Sequence, residues 1–127
     1  MSSKEIKNYI NTNRRDFANQ PFSEEMAFDN PIKQYEKWFE EAINSNILDP
    51  YAACLSTVDN LGRPSSRILY IRDIISEGFI FYTNFNSNKG SDLSNNKHAS
   101  LNVFWGELER QIRIQGIITK VDDVISD

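Results

Sequence analysis

The chain has 127 residues, 39% of them apolar and 25% charged, which suits one small domain with a single core and leaves little for a second. A formal net charge of -4 argues against a nucleic-acid partner, because a phosphate backbone is met by a basic stripe. No apolar run approaches the length of a membrane span, and the polar start Met1-Ser2-Ser3-Lys4-Glu5 lacks the apolar stretch of a secretory signal, so a cytoplasmic protein with no membrane partner is expected.

Residues 1–28 are polar and weakly periodic and read as a mobile arm with at most a short helix around Lys4 to Phe17. The folded body is expected over residues 29–127. Asp29-Asn30-Pro31 offers a cap followed by proline at the first helical position, and Ile32, Tyr35, Trp38, Phe39, Ala42 and Ile43 recur at helical spacing, which predicts an amphipathic helix from 31 to about 46. Asp49-Pro50 ends it, since the residue before proline is pushed out of the helical region.

From Tyr51 the pattern changes to short β-branched and aromatic runs bounded by Gly, Asn, Asp or Pro. Strands are predicted at Ala52–Val58, Ser65–Arg72, Gly78–Thr83, Ser100–Trp105 and Glu109–Lys120, with Asp59 to Pro64 as a hairpin loop and a tight turn through Gly106. Alternation places Arg67, Leu69 and Ile71 on one face of the second strand and Ile68, Tyr70 and Arg72 on the other. The expectation is a five-strand meander, with one long polar loop from Asn84 to Asn96, curled into a small closed or split barrel. Cys54, the only cysteine, sits in the run Ala52-Ala53-Cys54-Leu55 and reads as a buried structural thiol. With His98 the only histidine and no Cys/His cluster, no zinc site of the usual kind is expected.

The chemistry is concentrated in four segments: Ser66-Arg67-Ile68-Leu69-Tyr70-Ile71-Arg72, Phe81-Tyr82-Thr83-Asn84, Ser87-Asn88-Lys89-Gly90 and Glu109-Arg110-Gln111-Ile112-Arg113. In this order and spacing the chain resembles the pyridoxamine 5'-phosphate oxidase family of flavoproteins, over nearly its whole length. Each motif alone is weak; four in register are specific. The resemblance implies a mainly β fold with flanking helices, an FMN-binding split barrel that is incomplete at its C-terminus, because family members continue past the position of Asp127.

It also implies roles. Arg67 and Lys89 would hold the FMN phosphate, a planar fork and a point charge meeting a dianion. Thr83 would add a hydroxyl, the segment through Ile68, Leu69 and Arg72 would run along the cofactor, and Gln111 would meet the polar edge of the ring. Tyr82 is a further candidate for flanking the cofactor, although its spacing alone favours core packing. Taken singly, Arg67 and Lys89 read as surface charge and Gln111 as a solvent-facing strand residue. Asn13-Arg14-Arg15-Asp16-Phe17 resembles the family's Arg-Arg-x-Tyr segment over the substrate, with Phe17 in place of the tyrosine. Arg72 stands where a phosphate-reaching lysine is common, and Asn88 where an arginine commonly assists the lysine at the FMN phosphate. Arg14 and Arg72 are the candidates for the substrate phosphate. No catalytic base can be named.

The activity so implied is FMN-dependent oxidation of pyridoxamine or pyridoxine 5'-phosphate to pyridoxal 5'-phosphate, with oxygen as acceptor, in a homodimer. Two other readings stay open: a non-catalytic or truncated flavin-binding module, and a flavin reductase-type relative of the same fold.

Overall fold

The computed structural model describes residues 1–14, 22–82 and 97–119. Helix α1 (Ser3–Asn13) begins with a reciprocal capping box, the Ser2 hydroxyl accepting from the Glu5 N–H while the Glu5 carboxylate accepts from the Ser2 N–H, and it buries none of its residues. Helix α2 (Pro31–Asn44) starts at the expected cap, with the Asn30 side chain accepting from the Ile32 N–H at 2.8 Å. It ends one turn's fraction earlier than its periodicity predicts. Asn46 takes a left-handed φ of 58°, its N–H donates to the Ile43 carbonyl, and the Ile47 N–H reaches back to the Ala42 carbonyl. That is a Schellman closure, with Ile47 folding onto the core in place of the exposed Ile43.

Residues 22–28 lie on the arm side of the expected boundary yet pack on α2. Phe22 meets the Trp38 ring edge-on at 4.9 Å, and the Phe28 N–H donates to the Gln34 side chain at 2.9 Å.

The strands are β1 (Ala52–Val58), β2 (Pro64–Ile75), β3 (Gly78–Phe81), β4 (His98–Trp105) and β5 (Arg110–Ile117). They form one antiparallel five-stranded sheet in the order β3-β2-β1-β4-β5. The expected simple meander is therefore corrected: β4 returns to pair with β1, not β3, so the chain crosses from one edge of the sheet to its middle. Among the described residues the edges β3 and β5 do not pair with each other, which leaves the barrel split. The β4–β5 turn runs through Gly106–Leu108, and Glu109, placed in β5 by its sequence, instead adopts a left-handed φ of 54° that aims the chain into the strand.

The sheet has an inner and an outer face. Strict alternation in β1 turns Ala53, Leu55 and Thr57 inward. The core is completed by Leu69 and Ile71 of β2, Leu101, Val103 and Trp105 of β4, and Tyr35 and Ala42 of α2, with Trp38 and Phe39 packed against it. Trp105 is 2% exposed, and its indole N–H donates to the Pro50 carbonyl at 3.0 Å. A stack outside this core ties β5 to α2: Arg110 lies 4.6 Å over the Trp38 ring and donates to Glu41 at 2.9 Å.

Tyr35 is 3% exposed, and among the described residues its hydroxyl has no hydrogen-bond partner. Burial pushes its phenol up to about 12 from 10.0. An unpaired buried hydroxyl forfeits about 1 to 3 kcal/mol of desolvation. Tyr35→Phe is therefore expected to raise stability by up to about 1 kcal/mol in a urea melt, since the ring packing is retained. The phenol also sets a pH response. Above a pH of 10.0 the unfolded phenol ionises while the folded one stays neutral to about 12, so the unfolded state binds fewer protons and stability falls across that window. Tyr35→Phe is expected to flatten that alkaline fall.

In the β1–β2 hairpin, the Asp59 carboxylate accepts from the Leu61 and Arg63 N–H groups at 2.9 and 2.8 Å and pairs with the Arg63 guanidinium at 2.8 Å. These contacts hold its carboxyl below the usual carboxylate range, the Arg63 N–H foremost. A depressed folded value means that the contribution is present at neutral pH and is lost as pH falls through it. Asp59→Ala is expected to lower the melting temperature at neutral pH, with a gap that narrows in acid; a gap independent of pH would contradict this.

Candidate functional site

The hairpin register sets the first part of the site. Leu55 pairs with Arg67 and Thr57 with Ser65, so Arg67 starts on the inner face in the same layer as the core residues Leu55 and Leu101. Its guanidinium is held by hydroxyls: Nη1 donates to Thr57 Oγ1 at 2.8 Å and to the Leu55 carbonyl at 3.3 Å, and Nη2 donates to Ser65 Oγ at 2.8 Å. Thr57 is 1% exposed, so this clamp is anchored in the sheet and the cation is preorganised.

Register carries the row onward across four strands, from Ser65 to Thr57, Ala99 and Gly116. All four are small, and a Cβ built on Gly116 would meet nothing within 4 Å among the described residues. Thr57 in the middle of this row is buried, whereas Gly116 at its far end is exposed. A fixed guanidinium and the two hydroxyls that hold it form a polar set whose chemistry fits the terminal phosphate of a flavin mononucleotide.

The second part lies on the outer face. Ile68 is 67% exposed there and pairs with Cys54, while Gln111 pairs with Phe104, which is 61% exposed. The Gln111 Oε1 accepts from Asn102 Nδ2 at 3.0 Å. Arg72 owes its aim to a break in register: Ile71 pairs with Phe81 but Asp73 with Ile80, which leaves Arg72 as the extra residue of a β-bulge. Its guanidinium sits 5.6 Å from the centre of the Tyr82 ring. Tyr82 is 48% exposed, so the core packing favoured by its spacing is corrected to a surface position just past β3. Nearby, Tyr51 and Tyr70 meet edge-on at 4.8 Å, and the hydrogen bond to Asp49 raises the Tyr51 phenol above its ordinary value.

The expected site residues therefore fall on opposite faces of the sheet, Arg67 inside and Ile68, Arg72, Tyr82 and Gln111 outside or at the edge. The ring contact joins Arg72 to Tyr82, whereas Gln111 lies three strands from β2. Leu69 is 8% exposed and committed to the core, so only its backbone is available to a ligand. Arg14 is the exposed C-cap of α1, and its N–H bonds the Ile10 carbonyl. Thr83, Asn88 and Lys89 lie outside the described residues, as do Arg15 and Phe17. Cys54 is half-buried on the outer face, a correction to the buried thiol, because alternation gives the core to its neighbours Ala53 and Leu55. Sequence reasoning missed Thr57, Ser65 and Asn102. The first two follow from counting back symmetrically from the Asp59–Pro64 turn; Asn102 needs the β4–β5 register.

Among the described residues no helix is long and apolar enough to cross a membrane.

Comparison with known proteins adds three findings. The family model described as pyridoxamine 5'-phosphate oxidase matches residues 39–126. Among curated proteins, the pyridoxine/pyridoxamine 5'-phosphate oxidase of Actinobacillus succinogenes is 42% identical over 114 residues, covering 90% of this chain and 54% of that protein. The enzyme of the same name from Neisseria gonorrhoeae is 40% identical over the same share. The chain thus spans about half the length of the curated relatives it matches. Among solved structures, PhzG from Burkholderia lata 383, in complex with tetrahydrophenazine-1-carboxylic acid, aligns with a TM-score of 0.80 at 29% identity over 87% of this chain and 55% of its own. A pyridoxamine 5'-phosphate oxidase-related, FMN-binding protein from Nostoc punctiforme aligns with a TM-score of 0.58 at 22% identity over 70% of this chain and 50% of its own, a likeness of fold.

Proposed function

The chain belongs to the pyridoxamine 5'-phosphate oxidase family, and from that premise we propose that it is the flavin-binding portion of an oxidase that converts pyridoxamine or pyridoxine 5'-phosphate to pyridoxal 5'-phosphate. The observation that carries the reading is Arg67, clamped on the inner face by the Thr57 and Ser65 hydroxyls in a row of small residues. In this reading Arg67, with Ser65 and Thr57 fixing it, holds the FMN phosphate, and Thr83 and Lys89 add to the same end. Gln111 meets the polar edge of the ring, and Asn88, Ile68, the Leu69 backbone and Tyr82 line the cofactor. When bound, FMN would supply the hydride-accepting and oxygen-reducing chemistry, and these residues would hold and orient it.

The opposite faces of Arg67 and Gln111 support a homodimer. A flat ligand cannot touch both sides of one sheet through its middle, but a cleft between two copies can join one protomer's Arg67 to its partner's Gln111. The exposed Ile68, Tyr70 and Phe104 on the outer face supply apolar surface for that contact. Arg72, re-aimed by its bulge, and Arg14 serve the substrate phosphate. The protein's task is orientation, bringing the substrate carbon to near-attack distance. We place the protein in the cytoplasm.

Oxygen uptake by the FMN-supplemented chain with pyridoxine 5'-phosphate tests the activity. Uptake that depends on both additions supports the oxidase; FMN binding with no uptake supports the second reading, a flavin-binding module without turnover.

A further inference from the structure

The outer-face pair Asn102 and Gln111 carries an inference that rests on the reading of Gln111 as a ring contact and deepens it. Asn102 pairs in register with Arg113, and Gln111 with Phe104, so the two amides are diagonal neighbours on one face. A glutamine amide has the same outline either way round, and its polarity is set by what one end is bonded to. Here Asn102 Nδ2 donates to Gln111 Oε1 at 3.0 Å, which turns the carbonyl end toward Asn102 and occupies one of its two lone pairs.

We propose that Asn102 is a positioning residue that fixes Gln111 with its Nε2 hydrogens outward, so that Gln111 recognises an acceptor edge of the flavin, a ring carbonyl or unprotonated ring nitrogen, and not the ring's own N–H. A donor held at that edge stabilises the negative charge that builds up there on reduction. The role therefore extends from binding to redox poise.

Three variants of the whole chain test this, with FMN as the probe. Asn102→Leu removes the donor and frees Gln111 to turn; a loss of about threefold to tenfold in FMN affinity is expected, the range of one neutral hydrogen bond. Asn102→Asp places an acceptor against Gln111 Oε1, which drives the amide to reverse and present its carbonyl, so its loss is expected to exceed that of the leucine variant. Both are expected to make the midpoint potential of the bound flavin more negative, a readout that mere loosening of the sheet would not order in this way. Gln111→Leu is the reference, and thermal melts identify any variant that fails to fold. Wild-type affinity and potential in both Asn102 variants, alongside a loss in Gln111→Leu, would overturn the inference and leave the site reading intact. Unchanged binding in Gln111→Leu, or no FMN binding by the wild type, would overturn both.

Discussion

Arg67→Ala is expected to weaken FMN binding about tenfold to a hundredfold, because it deletes charge-assisted hydrogen bonds worth about 1.5 to 3 kcal/mol. The effect reaches the fold as well. Thr57 is 1% exposed and shares its hydroxyl with Arg67, so truncation removes a partner from a buried polar group. Arg67→Lys separates the two contributions. A lysine keeps the charge but cannot span Thr57 Oγ1 and Ser65 Oγ as the planar fork does, so it is expected to recover only part of the affinity. Fluorescence titration of FMN against the three proteins, beside their urea melts, reads both effects. Equal affinity in all three would remove Arg67 from the phosphate site.

The largest stability effect is expected at the other end of the inner face. Trp105→Ala empties a position that is 2% exposed, where the indole meets the Tyr35 ring at 5.9 Å and the Phe39 ring at 6.1 Å and donates to Pro50. Truncating a buried tryptophan to alanine costs about 3 to 5 kcal/mol, through lost burial and the cavity left behind. A small domain has about 5 to 15 kcal/mol in hand, so the variant is expected to be partly unfolded near body temperature. The loss falls on the joint between α2 and β4, and equilibrium unfolding followed by far-ultraviolet circular dichroism measures it. A change below about 1 kcal/mol would mean that the helix is not held to the sheet by this cluster.

These two residues also mark what was legible in the sequence. Trp105 ends an alternating apolar run, and Arg67 sits at a fixed distance from a hairpin turn, so local pattern and register place both. The same local signals give β1 its bounds and α2 its cap. The pairing of β4 with β1 was not legible, because alternation says which face a residue takes and nothing about which strand lies beside it. The bulge at Arg72 was hidden for a related reason: the extra residue shows only when β2 is laid against β3. Arg110 reads as an ordinary surface charge in isolation, and its place over Trp38 goes with an ion pair to Glu41, 69 residues away in sequence.

The site was legible by residue type and not by side. Alternation put Arg67 and Arg72 on opposite faces of β2, but without the β4–β5 register it could not put Gln111 on the face away from Arg67. That separation turns a list of cofactor contacts into an argument for two copies. It also leaves the outer face with exposed Ile68, Tyr70 and Phe104 around a hydrogen-bonded pair of amides.

Equilibrium titration of FMN against the purified chain, followed by quenching of flavin fluorescence, tests the central claim most directly. Saturable quenching that is shifted to higher concentration by Arg67→Ala is the expected result, and flavin fluorescence that remains unquenched at every protein concentration would contradict it.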